Sequence, residues 1–136
     1  MQTVLIIDDD DDICDLVVAA LKPAGYRTLA SSSGVKGIHL YSLERPDLVL
    51  TDIIMPDADG IEVIREIKQI DPTARIIAIS GSYLIEKDYC LRMALQFGAM
   101  AVLPKPFAMP ELHDLVKQCL RSAAPPFPPR AGSVSL

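Results

Sequence analysis

Short apolar runs alternate along the chain with longer stretches in which apolar residues recur every third or fourth position. Short runs bounded by turn residues predict buried strands, whereas the longer spacing predicts helices with one apolar face. The predicted strands are Val4–Ile7, Tyr26–Ala30, Asp47–Thr51, Arg75–Ser80 and Met100–Leu103. The stretches between them are too long for hairpins, so the strands are predicted to be parallel, each followed by a helix.

A parallel sheet with a helix after every strand places the chain in the α/β class. We predict a flavodoxin-like, doubly wound five-stranded parallel sheet in the order 2-1-3-4-5, with its switch point between the first and third strands. Pro104 supports this order because proline cannot donate a hydrogen bond to a neighbouring strand and therefore occurs at sheet edges or strand ends. The fifth strand lies at an edge in the predicted order.

The chain has 136 residues, a length that fits one domain with a short extension. We expect the folded domain to comprise residues 1–122 and residues 123–136 to form a proline-rich disordered tail. Proline without periodicity is typical of tails and linkers. A docking role for Pro125–Pro129 is the alternative interpretation.

The charge and the cysteines narrow the function classes. The formal charge is −5 and no cluster of lysine or arginine exists, so no direct nucleic-acid binding is expected. No apolar run is long enough to span a membrane, and no signal peptide is visible, so we expect no membrane association and a cytoplasmic protein. Cys14, Cys90 and Cys119 have a spacing that suits neither a zinc site nor a disulfide framework. They are expected to be small core residues.

Carboxylates follow two of the predicted strands. Asp8 and Asp9 come directly after the first strand, and Asp52 comes directly after the third. Ligands of parallel α/β sheets bind at the carboxyl ends of the strands, so we expect these three side chains to converge. Two carboxylates about 4 Å apart repel by roughly 4 kcal/mol at an effective dielectric constant of about 20. Such a cluster needs a cation, and hard oxygen ligands with room for water and phosphate favour Mg²⁺.

A hydroxyl and a lysine lie at the ends of two further strands, at the same edge. Ser80 closes the fourth predicted strand, and Lys105 follows the fifth. A carboxylate that attacks phosphorus needs its own charge and that of the phosphoryl oxygens neutralised. Lys105 can act as a point-charge partner of phosphate, and the Ser80 hydroxyl can donate a hydrogen bond to a phosphoryl oxygen. The set therefore indicates phosphoryl chemistry.

Taken in order, these motifs resemble the receiver (CheY-like) domains of two-component response regulators. The resemblance covers residues 3 to about 121. Its motifs are Asp8-Asp9, Asp52-Ile53-Ile54-Met55-Pro56 with Gly60, Ser80, and Lys105-Pro106-Phe107. Each motif is weak alone, but the ordered set at successive strand ends is specific.

The resemblance implies a phosphoacceptor and a metal site. Asp52 would accept a phosphoryl group from a histidine kinase or a histidine phosphotransfer protein. Asp8, Asp9, Asp52 and the backbone carbonyl of Ile54 would surround Mg²⁺. The implied function is that of a stand-alone switch, which signals to a downstream protein target and has no separate substrate to turn over.

The resemblance also implies roles for residues beyond the acids. Ser80 would move toward the phosphorylated aspartate, Lys105 would pair with it, and the Lys105–Pro106 bond would be cis. Receivers often carry Tyr or Phe shortly before the Lys-Pro pair, whereas this chain has Val102. Because valine cannot swing a ring between buried and exposed positions, the switching residue is left open, with Tyr83 as one candidate.

Three alternative functions stay open. A metal-dependent phosphatase with an aspartyl nucleophile would need an acid two residues later, where this chain has Ile54. A flavodoxin-like nucleotide binder would need a first turn rich in Gly, Ser or Thr to hold phosphate, whereas this turn is acidic. A receiver-fold binding module that is never phosphorylated is the third alternative.

Overall fold

The computed structural model describes residues 1–53, 55, 60–81 and 87–122, with the backbone alone for residues 87–91. Its strands are β1 (Thr3–Ile7), β2 (Arg27–Ser31), β3 (Leu48–Asp52), β4 (Ile76–Ser80) and β5 (Ala101–Pro104). Its helices are α1 (Asp11–Leu21), α2 (Gly34–Glu44), α3 (Gly60–Ile70), α4 (Lys87–Gln96) and α5 (Met109–Arg121). Four sequence predictions fall outside what the structure describes: the Ile54 carbonyl, Tyr83, the core position of the Cys90 side chain and the tail at 123–136.

The strands form one parallel sheet in the order β2-β1-β3-β4-β5, which confirms the predicted doubly wound α/β fold. At the end of β1, Ile7 is paired with Ser31 of β2 on one side and with Thr51 of β3 on the other. All five strands therefore end at one edge of the sheet, which we call the carboxyl edge, and begin at the opposite, amino edge.

Each observed strand boundary lies within one residue of the predicted one. β3 includes Asp52, which is paired with Ile79, and β5 runs to Pro104, which is paired with Ser80. Apolar residues mark only the buried part of a strand, whereas backbone pairing continues through polar residues and proline at its end. Pro104 lies at the end of an edge strand, as predicted from its missing N–H.

Helices cover both faces of the sheet and bury its apolar side chains. Along β1, Val4 and Ile6 pack with α1 and α5, whereas Leu5 and Ile7 pack with α2, α3 and α4. All four side chains are fully buried. Because fully burying an aliphatic side chain of this size contributes ~1.5–3 kcal/mol, this alternation fixes the sheet between the two helical layers.

Side-chain and backbone contacts fix where α1 begins. The carboxylate of Asp10 accepts the N–H of Asp12 at 3.0 Å and is the N-cap of the helix. Asp11 and Asp12 occupy the first turn, where negative charge is favourable. The turn between β1 and α1 is therefore short, and it holds the adjacent acids Asp8 and Asp9 at the carboxyl edge.

Two glycines pack tightly at the ends of helices. Gly60 starts α3 and donates its N–H to the Ile53 carbonyl at 2.7 Å, and a Cβ there would overlap the backbone of Asp52 and Ile53. Gly98 follows α4 with a φ of 116°, a positive value that is typical of a glycine directly after a helix. Among the described helices, none combines the length and apolarity needed to cross a membrane.

Candidate metal centre at the carboxyl edge of the sheet

Three carboxylates converge at the carboxyl edge. One oxygen each from Asp8, Asp9 and Asp52 lies within 4.8 Å of the others. Asp8 is fully buried, Asp52 is 6% exposed, and Asp9 is exposed at the rim. The structure therefore brings together the three acids that the strand ends predicted.

The backbone of the neighbouring strands positions Asp8 and Asp52. Asp8 follows β1, donates its N–H to the Ser31 carbonyl at 3.1 Å, and accepts the N–H of Asp10 on Oδ1 at 2.9 Å. Asp52 is the last residue of the central strand β3, and the next residue, Ile53, donates its N–H to the Ile79 carbonyl at 3.1 Å. Both carboxylates are thus carried by rigid, hydrogen-bonded backbone.

Lys105 brings a positive charge into the cluster. Its Nζ lies 2.9 Å from Asp8 Oδ2 and 3.5 Å from Asp52 Oδ2, and its side chain is 20% exposed. Burial alone would lower the pKa of Lys105, but its contacts with Asp8 and Asp52 outweigh burial and raise that pKa above its usual value. The lysine is therefore protonated at neutral pH and offsets part of the negative charge.

The donor set fits a divalent cation such as Mg²⁺. Asp8 Oδ2 is fully buried, and its described partner is the Lys105 ammonium at 2.9 Å. One ammonium does not balance three carboxylates, so the cluster keeps a net negative charge that a bound cation would offset. Three carboxylates of this kind are the hard, anionic ligands that Mg²⁺ prefers.

The cluster opens into a pocket of about 570 Å³. Its polar part is formed by the acids and Lys105, whereas Ile13, Leu16 and Phe107 supply an apolar wall. Ile13 and Leu16 have the sequence spacing of an apolar helix face, yet Leu16 is 46% exposed. Periodicity missed the apolar wall because it marks which face of a helix is apolar, not where that face leaves the core.

Ser80 and Pro106 are the other predicted site residues at the carboxyl edge. Ser80 is buried at the end of β4, where its hydroxyl donates to the Gly81 carbonyl at 3.2 Å and its own carbonyl accepts the N–H of Lys105 at 2.7 Å. The Ser80 backbone thus positions Lys105, while its hydroxyl proton is directed to Gly81. The Lys105–Pro106 bond is cis, as the resemblance implied, and Pro106 lines the pocket.

Residues 4–117 match the family of response regulator receiver domains. The chain belongs to this family. Receiver domains are signalling phosphoacceptors, and phosphorylation on aspartate is typical of them. The resemblance stated from the strand-end motifs is therefore confirmed.

Individual relatives agree with this assignment. The receiver domain is 32% identical over 119 residues to sporulation initiation phosphotransferase F of Bacillus subtilis (strain 168), covering 88% of this chain and 94% of that protein. It is 33% identical over 124 residues to the DNA-binding transcriptional regulator NtrC of Azospirillum brasilense, covering 91% of this chain but only 25% of that protein. Curated relatives thus include proteins of similar length and proteins about four times as long.

Solved structures agree with the fold. A CheY-like response regulator receiver domain protein from Methanospirillum hungatei JF-1 superimposes with a TM-score of 0.82 at 27% identity, covering 89% of this chain and 94% of that one. A receiver domain protein from Clostridium thermocellum gives the same TM-score at 28% identity, with 89% and 95% coverage.

Proposed function

We propose that Asp52 is the phosphoacceptor of this receiver domain and that Asp8, Asp9 and Asp52 hold Mg²⁺. The observation that carries the proposal is the convergence of three carboxylates within 4.8 Å of one another, beside a lysine 3.5 Å from Asp52 Oδ2. The Ile54 carbonyl, which the resemblance implies as a further ligand, lies outside the described residues.

Asp52 suits the acceptor role better than its two neighbours. Oδ1 of Asp8 is held by the N–H of Asp10 at 2.9 Å, and its Oδ2 faces Lys105 at 2.9 Å within a fully buried side chain. Asp9 is exposed at the rim. Asp52 lies at the end of the central strand, lines the open pocket and has the Lys105 ammonium beside it.

The reaction we propose is transfer of a phosphoryl group from a phosphohistidine. An Asp52 carboxylate oxygen forms a bond to phosphorus while the phosphorus–nitrogen bond breaks, and the electron pair of that bond returns to the imidazole. The products are an acyl phosphate on Asp52 and a neutral imidazole on the donor, because the other ring nitrogen of the phosphohistidine carries a proton when the phosphorus–nitrogen bond breaks. When bound, Mg²⁺ would supply positive charge that offsets the phosphoryl oxygens.

Lys105 and Ser80 can stabilise the negative charge on the phosphoryl oxygens that Mg²⁺ does not offset. The Lys105 ammonium can follow the negative charge from the Asp52 carboxylate to the phosphoryl oxygens, because it already lies within ion-pair distance of Asp52. Ser80 can contribute once its hydroxyl turns from the Gly81 carbonyl, to which it donates at 3.2 Å.

The partners follow from this chemistry. We propose a histidine kinase or a histidine phosphotransfer protein as phosphoryl donor and a downstream protein as target of the phosphorylated state. Phosphorylation would shift an equilibrium between two conformations of the domain rather than start a turnover reaction. The pocket beside Asp52 is open enough, at about 570 Å³, for a donor side chain to enter.

Intact-protein mass tests the proposal. The full chain is incubated with Mg²⁺ and acetyl phosphate, in parallel with Asp52→Asn and with the control Asp114→Asn, which changes an exposed acid on α5. We expect one added phosphoryl group on wild type and Asp114→Asn, none on Asp52→Asn, and no adduct on any variant when EDTA is present throughout the incubation. Absence of the adduct from wild type, with Mg²⁺ binding measured separately, would favour the unphosphorylated binding module.

A further inference from the structure

The thiol of Cys14 contacts the backbone of the metal centre. Cys14 lies in the first turns of α1 and is 5% exposed. Its Sγ lies 3.4 Å from the carbonyl oxygen of Asp8 and 3.9 Å from that of Ser31. Ser31 in turn accepts the N–H of Asp8 at 3.1 Å. Cys14 therefore lies between the two backbone groups that fix where Asp8 sits.

This contact is tertiary rather than part of the helix. The backbone N–H of Cys14 is satisfied by the Asp10 carbonyl at 3.1 Å, as expected within a helix. The thiol instead reaches a residue six positions earlier, outside the helix and at the end of β1. It thus joins the first turns of α1 directly to the residue that carries the buried carboxylate.

The thiol is suited to donate and poorly suited to react. A cysteine thiol has an ordinary pKa of about 8.5, so it is mostly protonated at neutral pH, and burial of the Cys14 side chain favours the neutral form further. A thiolate nucleophile would need that proton removed. A protonated thiol is a weak hydrogen-bond donor, and the nearest acceptor is the Asp8 carbonyl.

We propose that Cys14 is a positioning residue of the metal centre, which holds the Asp8 backbone by a thiol hydrogen bond so that the Asp8 carboxylate keeps its place in the cluster. This inference rests on the proposed function, because it assigns Cys14 a role in Mg²⁺ binding by Asp8. Movement of the Asp8 backbone would displace both its carboxylate oxygens and its contact with Asp10.

The test compares variants that differ in the donor. Cys14→Ser keeps a hydroxyl that can donate, Cys14→Val fills the space without a donor, and Cys119→Val makes the same change at a buried thiol on the same face of the sheet. The first measurement is hydrogen exchange at the Asp10 amide, which donates to Asp8 Oδ1 and so reports the carboxylate directly. The second is the Mg²⁺ dissociation constant by calorimetry, and urea unfolding is measured in parallel.

We expect Cys14→Val to accelerate Asp10 amide exchange several-fold and to raise the Mg²⁺ dissociation constant about threefold, the effect of one weak hydrogen bond. Cys14→Ser should lie closer to wild type, and Cys119→Val should change neither quantity. Equal effects of Cys14→Ser and Cys14→Val, or no change in Asp10 exchange with Cys14→Val, would overturn the proposal.

The two measurements separate this inference from the proposed function. If wild type itself binds no Mg²⁺, the proposed metal site fails, whereas exchange at the Asp10 amide still decides whether Cys14 positions Asp8. If Cys14→Val does not fold, the smaller Cys14→Ala takes its place, with Cys119→Ala as control.

Discussion

The two edges of the sheet contain similar groups in different surroundings. Each edge has a lysine that is wholly or largely buried, a glycine packed against its neighbours and a buried thiol. At the carboxyl edge they are Lys105, Gly60 and Cys14, and at the amino edge they are Lys68, Gly98 and Cys119. Only the carboxyl edge combines them with a cluster of acids among the described residues.

The lysines differ most. Lys68 is 3% exposed, near the end of α3, and its Nζ donates to the Pro72 carbonyl at 3.2 Å. Burial lowers the pKa of Lys68 although Asp71 opposes the shift, whereas Asp8 and Asp52 raise the pKa of Lys105. Burial by itself therefore does not distinguish a functional lysine, but two carboxylates within ion-pair distance do.

The largest expected effect comes from removing the charge of Lys105. Lys105→Met should slow phosphorylation by acetyl phosphate about tenfold, because a cation beside the developing charge is lost. The same change should raise Mg²⁺ affinity several-fold, since the ammonium at 2.9 Å from Asp8 Oδ2 competes for a proposed ligand. Quenched-flow assays measure the phosphorylation rate, and calorimetry measures the Mg²⁺ affinity.

Lys68→Met is the matched control for this prediction. It keeps most of the side-chain volume at a buried position where none of the described carboxylates lies within ion-pair distance. Phosphorylation and Mg²⁺ affinity should equal those of wild type. A similar loss in both lysine variants would show that the contrast between the edges does not govern the chemistry.

The glycines give the next largest effect. A Cβ at Gly60 would lie 2.6 Å from the Ile53 carbonyl oxygen and closer to the Asp52 carbonyl, so the backbone beside Asp52 would have to move. We expect Gly60→Ala to lower the free energy of unfolding by about 2 kcal/mol or more and to weaken Mg²⁺ binding.

Gly98→Ala should lower the free energy of unfolding by only about 1 kcal/mol, the cost of placing alanine at the positive φ of this position. The added Cβ costs little more, because the nearest atom belongs to the flexible Lys68 side chain, which can move away. Urea unfolding measures both variants, and Mg²⁺ calorimetry separates them. Equal losses of Mg²⁺ affinity would contradict a local effect of Gly60 on the acid cluster.

The smallest expected effect comes from the thiols, which should make the free energy of unfolding depend on pH. The folded protein keeps the Cys14 proton to about pH 11, whereas the ordinary value is 9.0, so the unfolded chain releases its proton first. The folded state therefore loses stability as pH rises through that interval, by on the order of 1 kcal/mol near pH 10.

Cys14→Val should reduce this alkaline slope. Urea unfolding of wild type and Cys14→Val at about pH 8 and about pH 10 measures the difference. Cys119 has a pKa that burial also raises, so Cys119→Val should reduce the slope as well while leaving Mg²⁺ affinity unchanged. An unchanged slope in Cys14→Val would mean that its thiol does not titrate differently on unfolding.

Much of the fold and the site followed from local sequence patterns. The positions of Asp8, Asp9 and Asp52 at strand ends, the sheet order and the place of Pro104 were predicted and are observed. These features depend on residues that are close in sequence, on the polarity period of strands and helices, and on the rule that parallel strands end at one edge.

Other features required the tertiary structure. Lys68 is buried although its helix position gave no sign of it, Leu16 is exposed although its spacing is that of a core residue, and the Cys14 thiol faces Asp8. Each depends on which elements pack against a side chain, and a single periodicity does not contain that information.

The sequence by itself determined the order of strands and helices, the family and the acids that we propose as the metal ligands and the phosphoacceptor. Only the tertiary structure decided that Lys105, 97 residues from Asp8 and 53 from Asp52, lies between the two carboxylates, and that the Ser80 hydroxyl donates to Gly81. The reason is physical. Strand and turn preferences act between neighbours in the chain, whereas the direction of a buried charge or hydroxyl is set by contacts between strands that only the folded sheet brings together.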